Sequence, residues 1–246
     1  MHDVLLATVI FAAATLYSSV GHAGASGYLA AMALFSVPPA AMKPAALTLN
    51  ILVASITTIR FHRAGCSSWR VLWPFALGAL PFAFFGGSWN LAAGVYKPIV
   101  GAILLFAAVR LAIAARRREE TPTAMPHPGI AIAVGGAIGL LAGLTGTGGG
   151  IFLSPVLLLM RWAKARETAG VSAAFILVVS IAGLAGNLTG ENPVSALPPQ
   201  LPYWAVAAGA GGLLGSHIGS RRLAPPSLRR VLAAVLIVAG LKLIFT

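Results

Sequence analysis

Acidic side chains are almost missing from this chain. The five present are Asp3, Glu119, Glu120, Glu167 and Glu191, and none lies in the middle of an apolar run. Proton relays and sodium sites inside membranes usually rely on such a carboxylate, so no coupling ion is evident. With one aspartate, a paired-aspartate metal site is impossible. Cysteine is equally scarce. The single Cys66 excludes an intrachain disulfide and any Cys-based metal centre, and reads as a small apolar filler. Neither a metal nor a cofactor is expected. Charge of either sign is sparse, at 9% of residues against about 25% in soluble domains.

What fills the chain instead is apolar surface, 58% of residues with a mean hydropathy of +0.90. No aqueous fold could bury that much. Apolar runs near 3–20, 24–36, 44–60, 69–88, 97–115, 129–145, 149–160, 168–188, 201–219 and 228–245 recur from end to end, and most approach the length needed to cross a hydrocarbon core about 30 Å thick. The expectation is an all-α integral membrane protein with ten hydrophobic segments, eight long and two short or broken. The first segment has no basic flank and no small-residue cleavage site, which marks it as a retained helix rather than a signal peptide.

The net charge of +12 does not indicate nucleic acid, because the basic residues sit in short links between apolar runs. Clusters at His62–Arg70, Arg110–Arg118, Arg161–Arg166 and Arg221–Arg230 satisfy the positive-inside rule if all four are cytoplasmic, whereas the proline-rich loop Thr189–Gln200 carries only Glu191 and is placed outside. Both termini then face the periplasm. The run Arg116-Arg117-Arg118-Glu119-Glu120 and the three prolines up to Pro128 form a cytoplasmic linker, residues 116–128. It divides the chain into a first membrane repeat, 1–115, and a second, 129–246. Five segments in each, an odd number, invert the second repeat relative to the first.

The halves also match directly. At an offset of 125, Leu16, Gly21 and Gly24 meet Leu141, Gly146 and Gly149, the run Ile51–Val53 meets Ile176–Val178, and Gly86-Gly87 meets Gly211-Gly212. Two equivalent glycine-bearing strings stand out, VGHAGASGY at 20–28 and LTGTGGGIF at 144–152. Each interrupts an apolar run of 32 to 34 residues, about 50 Å if wholly helical, too long for one span and short for two. A broken or re-entrant helix pair fits. Irregular backbone at membrane depth is tolerated only where protein buries it or water reaches it. A glycine break followed by a helix leaves free N–H groups and the positive end of a helix dipole at one spot, which suits an anion. Paired breaks in two halves are the best sequence pointer to a transporter's binding site. His22, Gly24, Ser26, Thr145, Thr147, Gly148, Gly149 and Gly150 are the candidate ligands there. Thr48, Asn50 and Ser172, expected within the first two turns of the following helices, are further candidates, although hydrogen bonding between helices would also explain them. Gly78, Gly94 and Gly183 read as packing glycines. The substrate expected is a small anion, the surroundings a lipid bilayer; nothing indicates an oligomeric state.

The strings GHAGASGYLAAMALF at 21–35, ALTLNILVASI at 46–56 and GLTGTGGGIFLSPVLLL at 143–159 resemble the TauE/SafE sulfite exporter family over nearly the whole chain. The resemblance implies a transporter of the bacterial inner membrane that exports a small sulfur-containing anion, such as sulfite or sulfoacetate, rather than an enzyme. A permease for carboxylates or other small anions is the nearest alternative. A remote one is an intramembrane serine protease, since Gly24-Ala25-Ser26-Gly27 matches the GxSG pattern of rhomboid proteases, with His217 as an imagined base. In that family the serine follows several membrane helices; here it follows the first, and the repeat already explains Gly24. A cysteine introduced at Asn192 is predicted to react with an impermeant thiol reagent from the periplasm, and one at Ala115 to be protected. The opposite labelling would refute the inverted arrangement.

Overall fold

The computed structural model describes residues 2–114, 127–189, 197–221, 236–238 and 240–245. Most of the expected linker at 116–128 and of the loops at 189–200 and 221–230 lies outside the described residues. Among the described residues the helices are α1 (His2–Ser18), α2 (Ala25–Leu34), α3 (Pro39–Arg63), α4 (Trp69–Ser88), α5 (Ala93–Ala114), α6 (Pro128–Thr145), α7 (Gly150–Leu159), α8 (Ala165–Thr189) and α9 (Leu201–Arg221). A further apolar helical stretch lies at Leu236–Phe245. Among the described residues there is no strand. The protein is an all-α membrane protein, with α3, α4, α6 and α8 each long and apolar enough to cross a bilayer.

The helix bounds repeat. α2 and α7 both have 10 residues and start 125 apart, and α3 and α8 both have 25. Backbone conformation repeats at the same offset: Gly21 and Gly146 have φ of 82° and 81°, and Ser36 and Arg161, the two non-glycine residues at positive φ among the described residues, have 58° and 56°. Those two follow α2 and α7 in matching C-terminal turns, in which Val37 N–H donates to Met32 C=O and Trp162 N–H to Leu157 C=O at 2.9 Å each.

Equivalent helices run in opposite directions. Leu47 approaches Gly183, Asn50 approaches Ser180, and the Cys66 carbonyl lies under Gly170, so α3 and α8 cross antiparallel. α4 runs parallel to α6, and α9 runs parallel to α1, with Phe11, Thr15 and Ser19 facing Gly211, Gly215 and Gly219. Each half therefore lends one helix to the other: α4 packs on α6 and α8, while α9 packs on α1 and α3. Two apolar cores result. One gathers α1, α2, α3 and α5 around Ile10, Tyr28, Leu49 and Leu104; the other gathers α4, α6, α7 and α8 around Phe75, Leu153 and Phe175.

Small residues set the helix separations, as expected where lipid removes the hydrophobic drive between helices. A Cβ on Gly135, Gly139 or Gly143 would strike the backbone of Phe75, Ala79 or Ala83 on α4. Gly94 is different: no atom lies within 4 Å of where its Cβ would be, so the packing role expected for it is absent. α3 also begins earlier than expected. Pro39 occupies the first helical position, where a missing N–H costs nothing, and Pro44 lies inside the helix. Thr48 and Asn50 thus sit beyond the second turn and deeper in the bundle. The basic end is shared by several helices: Arg60 lies 2.8 Å from His217 Nδ1, and Arg166 donates to the Ser220 carbonyl at 2.8 Å.

Gly139→Val is predicted to destabilise the purified protein by about 1–3 kcal/mol through overpacking, whereas Gly94→Ala stays within about 0.5 kcal/mol of the parent. Thermal unfolding in detergent decides this, and equal melting temperatures for the two variants would refute the close α4–α6 crossing.

Candidate functional site

Each break is built from two glycines that stop one helix and start the next. Gly21 closes α1, with its N–H donating to the Ser18 carbonyl at 3.2 Å and the His22 N–H donating to the Tyr17 carbonyl at 2.9 Å. Gly146 closes α6 by donating to the Ala142 carbonyl at 2.8 Å. Gly24 and Gly149 then occupy the N-cap positions of α2 and α7 in left-handed conformations, φ 111° and 78°, which glycine adopts without the usual penalty. Neither N-cap has a side chain to accept hydrogen bonds from the first turn. Two helix starts therefore leave N–H groups without a side-chain partner inside the bundle.

The chain folds back at both breaks. Gly27 packs against Ala13 and Tyr17 of α1, and Gly149 packs against Ile138 and Ala142 of α6. α2 and α7 are thus the return arms of helical hairpins, each about 15 Å long and unable to cross a core of about 30 Å. Because α3 and α8 run antiparallel, the hairpins enter from opposite ends and their tips meet. The contact is direct: His22 Nε2 of the first tip lies 3.1 Å from the Gly150 carbonyl of the second.

Polar side chains collect around that contact. Ser154 Oγ lies 3.0 Å from His22 Nε2 and 2.7 Å from Ser172 Oγ, which joins α7 to α8 through the first tip. Asn50 is fully buried, with Nδ2 3.4 Å from Ser180 Oγ and Oδ1 without a partner. A Cβ on Gly148 would fall 2.5 Å from Asn50 Nδ2, so the second tip lies directly on the α3 amide. Thr145 and Thr147 pair at 3.1 Å, and the Thr145 carbonyl accepts from Tyr96 at 3.1 Å. These residues are shut away from solvent, with Thr145, Asn50 and Ser172 at 0% exposure.

The candidates divide accordingly. His22, Gly150 and Ser172 come together, and Gly148 meets Asn50. Ser26 instead donates to Tyr17 Oη at 2.6 Å, and Thr48 donates to the Pro44 carbonyl of its own helix at 2.9 Å. Gly24 lies against the ring of Tyr28, whose hydroxyl donates to the Ala23 carbonyl. With Ser26 tied to Tyr17 and His217 tied to Arg60, the serine–histidine pair imagined for a protease does not form.

Three polar residues beside the tips escaped the sequence reading. Ser154 and Ser180 are lone hydroxyls in apolar helices, and only their equivalence of depth with the breaks could have marked them. Lys43 is buried with its backbone against Gly146, and its ammonium donates to the carbonyls of Gly86, Gly87 and Trp89 at 3.2, 2.7 and 2.9 Å. It neutralises the carbonyl end of α4 beside the second tip. An open cavity of about 470 Å³ lies elsewhere, lined by Asp3, Ser36, Gln200 and Trp204 among others. It sits at the bundle end opposite the basic residues, away from the tips, and the built polar cluster is the stronger candidate for the functional site.

The family model for Sulfite exporter TauE/SafE matches residues 6–243. The chain belongs to that family. It is also 43% identical over 243 residues to the probable membrane transporter protein y4hK of Sinorhizobium fredii (strain NBRC 101917 / NGR234), covering 98% of this chain and 97% of the relative. No solved structure matches it. The protein is thus a membrane transporter of the TauE/SafE family, and the tips of both hairpins lie inside the matched region.

Proposed function

We propose that the protein exports a small sulfur-containing anion, sulfite or an organosulfonate such as sulfoacetate, from the cytoplasm by alternating access at the two hairpin tips. The observation that carries the reading is the convergence of two uncapped helix N-termini, α2 and α7, from opposite ends of the bundle onto one buried polar cluster. Each N-terminus contributes the equivalent of about half a positive charge, and both point where acidic side chains are absent. An oxyanion would supply the acceptors that the bare N–H groups lack. Backbone donors, with Thr147, Asn50, Ser154 and Ser172 around them, would replace its hydration shell.

Alternating access follows from the same geometry. The tips are shut together here, so opening the hairpin that enters from one end would expose the cluster to that end alone. The approximate inversion relating the hairpins makes the two openings near-equivalent motions. Export needs no carboxylate, because an inside-negative potential drives an anion outward by about 2.3 kcal/mol per charge per 100 mV. The basic end would be cytoplasmic and the protein would reside in the bacterial inner membrane, with the charge at that end raising the local concentration of anions before they enter.

Gly149→Leu is predicted to abolish uptake of labelled sulfite or sulfoacetate into inside-out vesicles, since the side chain must take a left-handed backbone and its Cβ falls 2.9 Å from Phe175. Asn50→Ala, which adds no bulk, should cut uptake at least tenfold, corresponding to loss of one hydrogen bond to a charged group of about 1.5–3 kcal/mol. Gly183→Ala, whose Cβ would have only ordinary contacts, the nearest at 3.5 Å, should transport normally. Normal uptake by both Gly149→Leu and Asn50→Ala at matched, monodisperse expression would overturn the assignment of the site.

A further inference from the structure

Among the described residues, His22 is a titratable side chain that bridges the two hairpins, its Nε2 within reach of both the Gly150 carbonyl and Ser154 Oγ. Nε2 faces the Gly150 carbonyl, which can only accept, so Nε2 carries a hydrogen. The remaining nitrogen, Nδ1, is buried and has no partner. In a neutral ring it is therefore a lone pair sealed away from water without a donor, which is an unfavourable arrangement. A proton is the smallest ligand that resolves it. Protonated Nδ1 would become a donor within the buried contact between the tips.

Among the described residues the resulting imidazolium would face no fixed counter-charge. On α1, Tyr17 approaches with ring centroids 6.3 Å apart, and on α2 Tyr28 is turned to the Ala23 carbonyl; both phenols are neutral near pH 7. From α7 and α8 the facing groups are the hydroxyls of Ser154 and Ser172, and the α8 backbone at Ala169 lies against Gly21. Lys43, the buried cation nearby in the fold, is turned to the carbonyls of α4. A positive charge here needs an anion, and the place proposed for the anion is the adjoining helix N-termini.

We propose that His22 is a proton-binding residue whose protonation is linked to anion binding, so that anion and proton occupy the tips together. The inference rests on the anion-site reading above and deepens it by naming a second ligand bound with the anion. Linkage makes the effect reciprocal: the bound anion raises the proton affinity of His22, and the bound proton raises the affinity for the anion. Affinity then rises as pH falls through the titration of His22, by at most about tenfold per pH unit for one proton. It flattens once His22 is protonated without the anion.

Calorimetry on the purified full-length protein tests this with two ligands, from about pH 5 to about pH 8. Ethanesulfonate stays deprotonated throughout, so any proton taken up must go to the protein; sulfite can carry a proton itself. Repeating each titration in buffers of different ionisation enthalpy counts the protons. The expected result is uptake approaching one proton with ethanesulfonate, absent in His22→Gln, which keeps an N–H donor for the Gly150 carbonyl but cannot be charged. The wild-type proton count stands alone should that variant fail to fold. Ethanesulfonate binding without proton uptake at any pH would overturn the proton site while leaving the anion site intact. Proton uptake with sulfite that persists unchanged in His22→Gln would place the proton on the ligand and overturn the role of His22. Binding of neither anion by wild type would overturn this inference together with the reading beneath it.

Discussion

Inside a bilayer every backbone N–H and C=O must find a partner within the protein, because the hydrocarbon offers none. A chain that interrupts its helices at mid-depth therefore has to bury the interruption. Here two interruptions are buried against each other. The Gly21–Gly24 and Gly146–Gly149 turns close the outgoing helices with hydrogen bonds to the Tyr17, Ser18 and Ala142 carbonyls, while the N–H groups that begin α2 and α7 receive no side-chain cap. The imbalance has one sign, and that sign favours an anion.

The exchange of α4 and α9 between the halves holds the tips in register. Because α4 lies along α6 and α9 along α1, the outer arm of each hairpin is clamped by a helix from the opposite half at backbone distance, with glycines setting the approach. The return arms α2 and α7 are shorter; Tyr28 and Leu153 anchor them in the two apolar cores, and His22, Ser154 and Ser172 add polar contacts at their tips. Rigid outer arms and short return arms are the parts an alternating-access device needs. A motion confined to α2 or α7 would break those hydrogen bonds and unpack Tyr28 or Leu153 from its core while leaving the α4–α6 and α1–α9 crossings in place.

Much of this was legible in the residues because glycine and charge leave marks that apolar residues do not. The paired breaks, the offset of 125 and the inverted relation followed from Gly21, Gly24, Gly146 and Gly149 and from the parity of the segments. Depth was harder to read. Pro44 looked like a helix start, but Pro39 serves that purpose, so Asn50 lies well inside α3 rather than near its beginning. Whether a polar residue turns to a cavity or to its own backbone depends on rotamer and neighbours, which is why Thr48 and Ser154 could not be told apart in advance although one binds Pro44 and the other His22. Lys43 lies just before the expected segment 44–60 and was not marked as a site residue, yet its four-carbon stem carries the ammonium onto the carbonyls of α4.

The central claim is that an anion sits between the N-termini of α2 and α7, and locating a heavy isostere tests it most directly. Selenite has the shape and charge of sulfite, and its selenium scatters anomalously, so a crystal grown with it would report the site without reference to transport. The account predicts a selenium peak within hydrogen-bonding reach of the first-turn N–H groups of both helices, beside Asn50 and Ser154. A peak only in the cavity lined by Asp3, Gln200 and Trp204, or none at the tips of an otherwise occupied crystal, would contradict it.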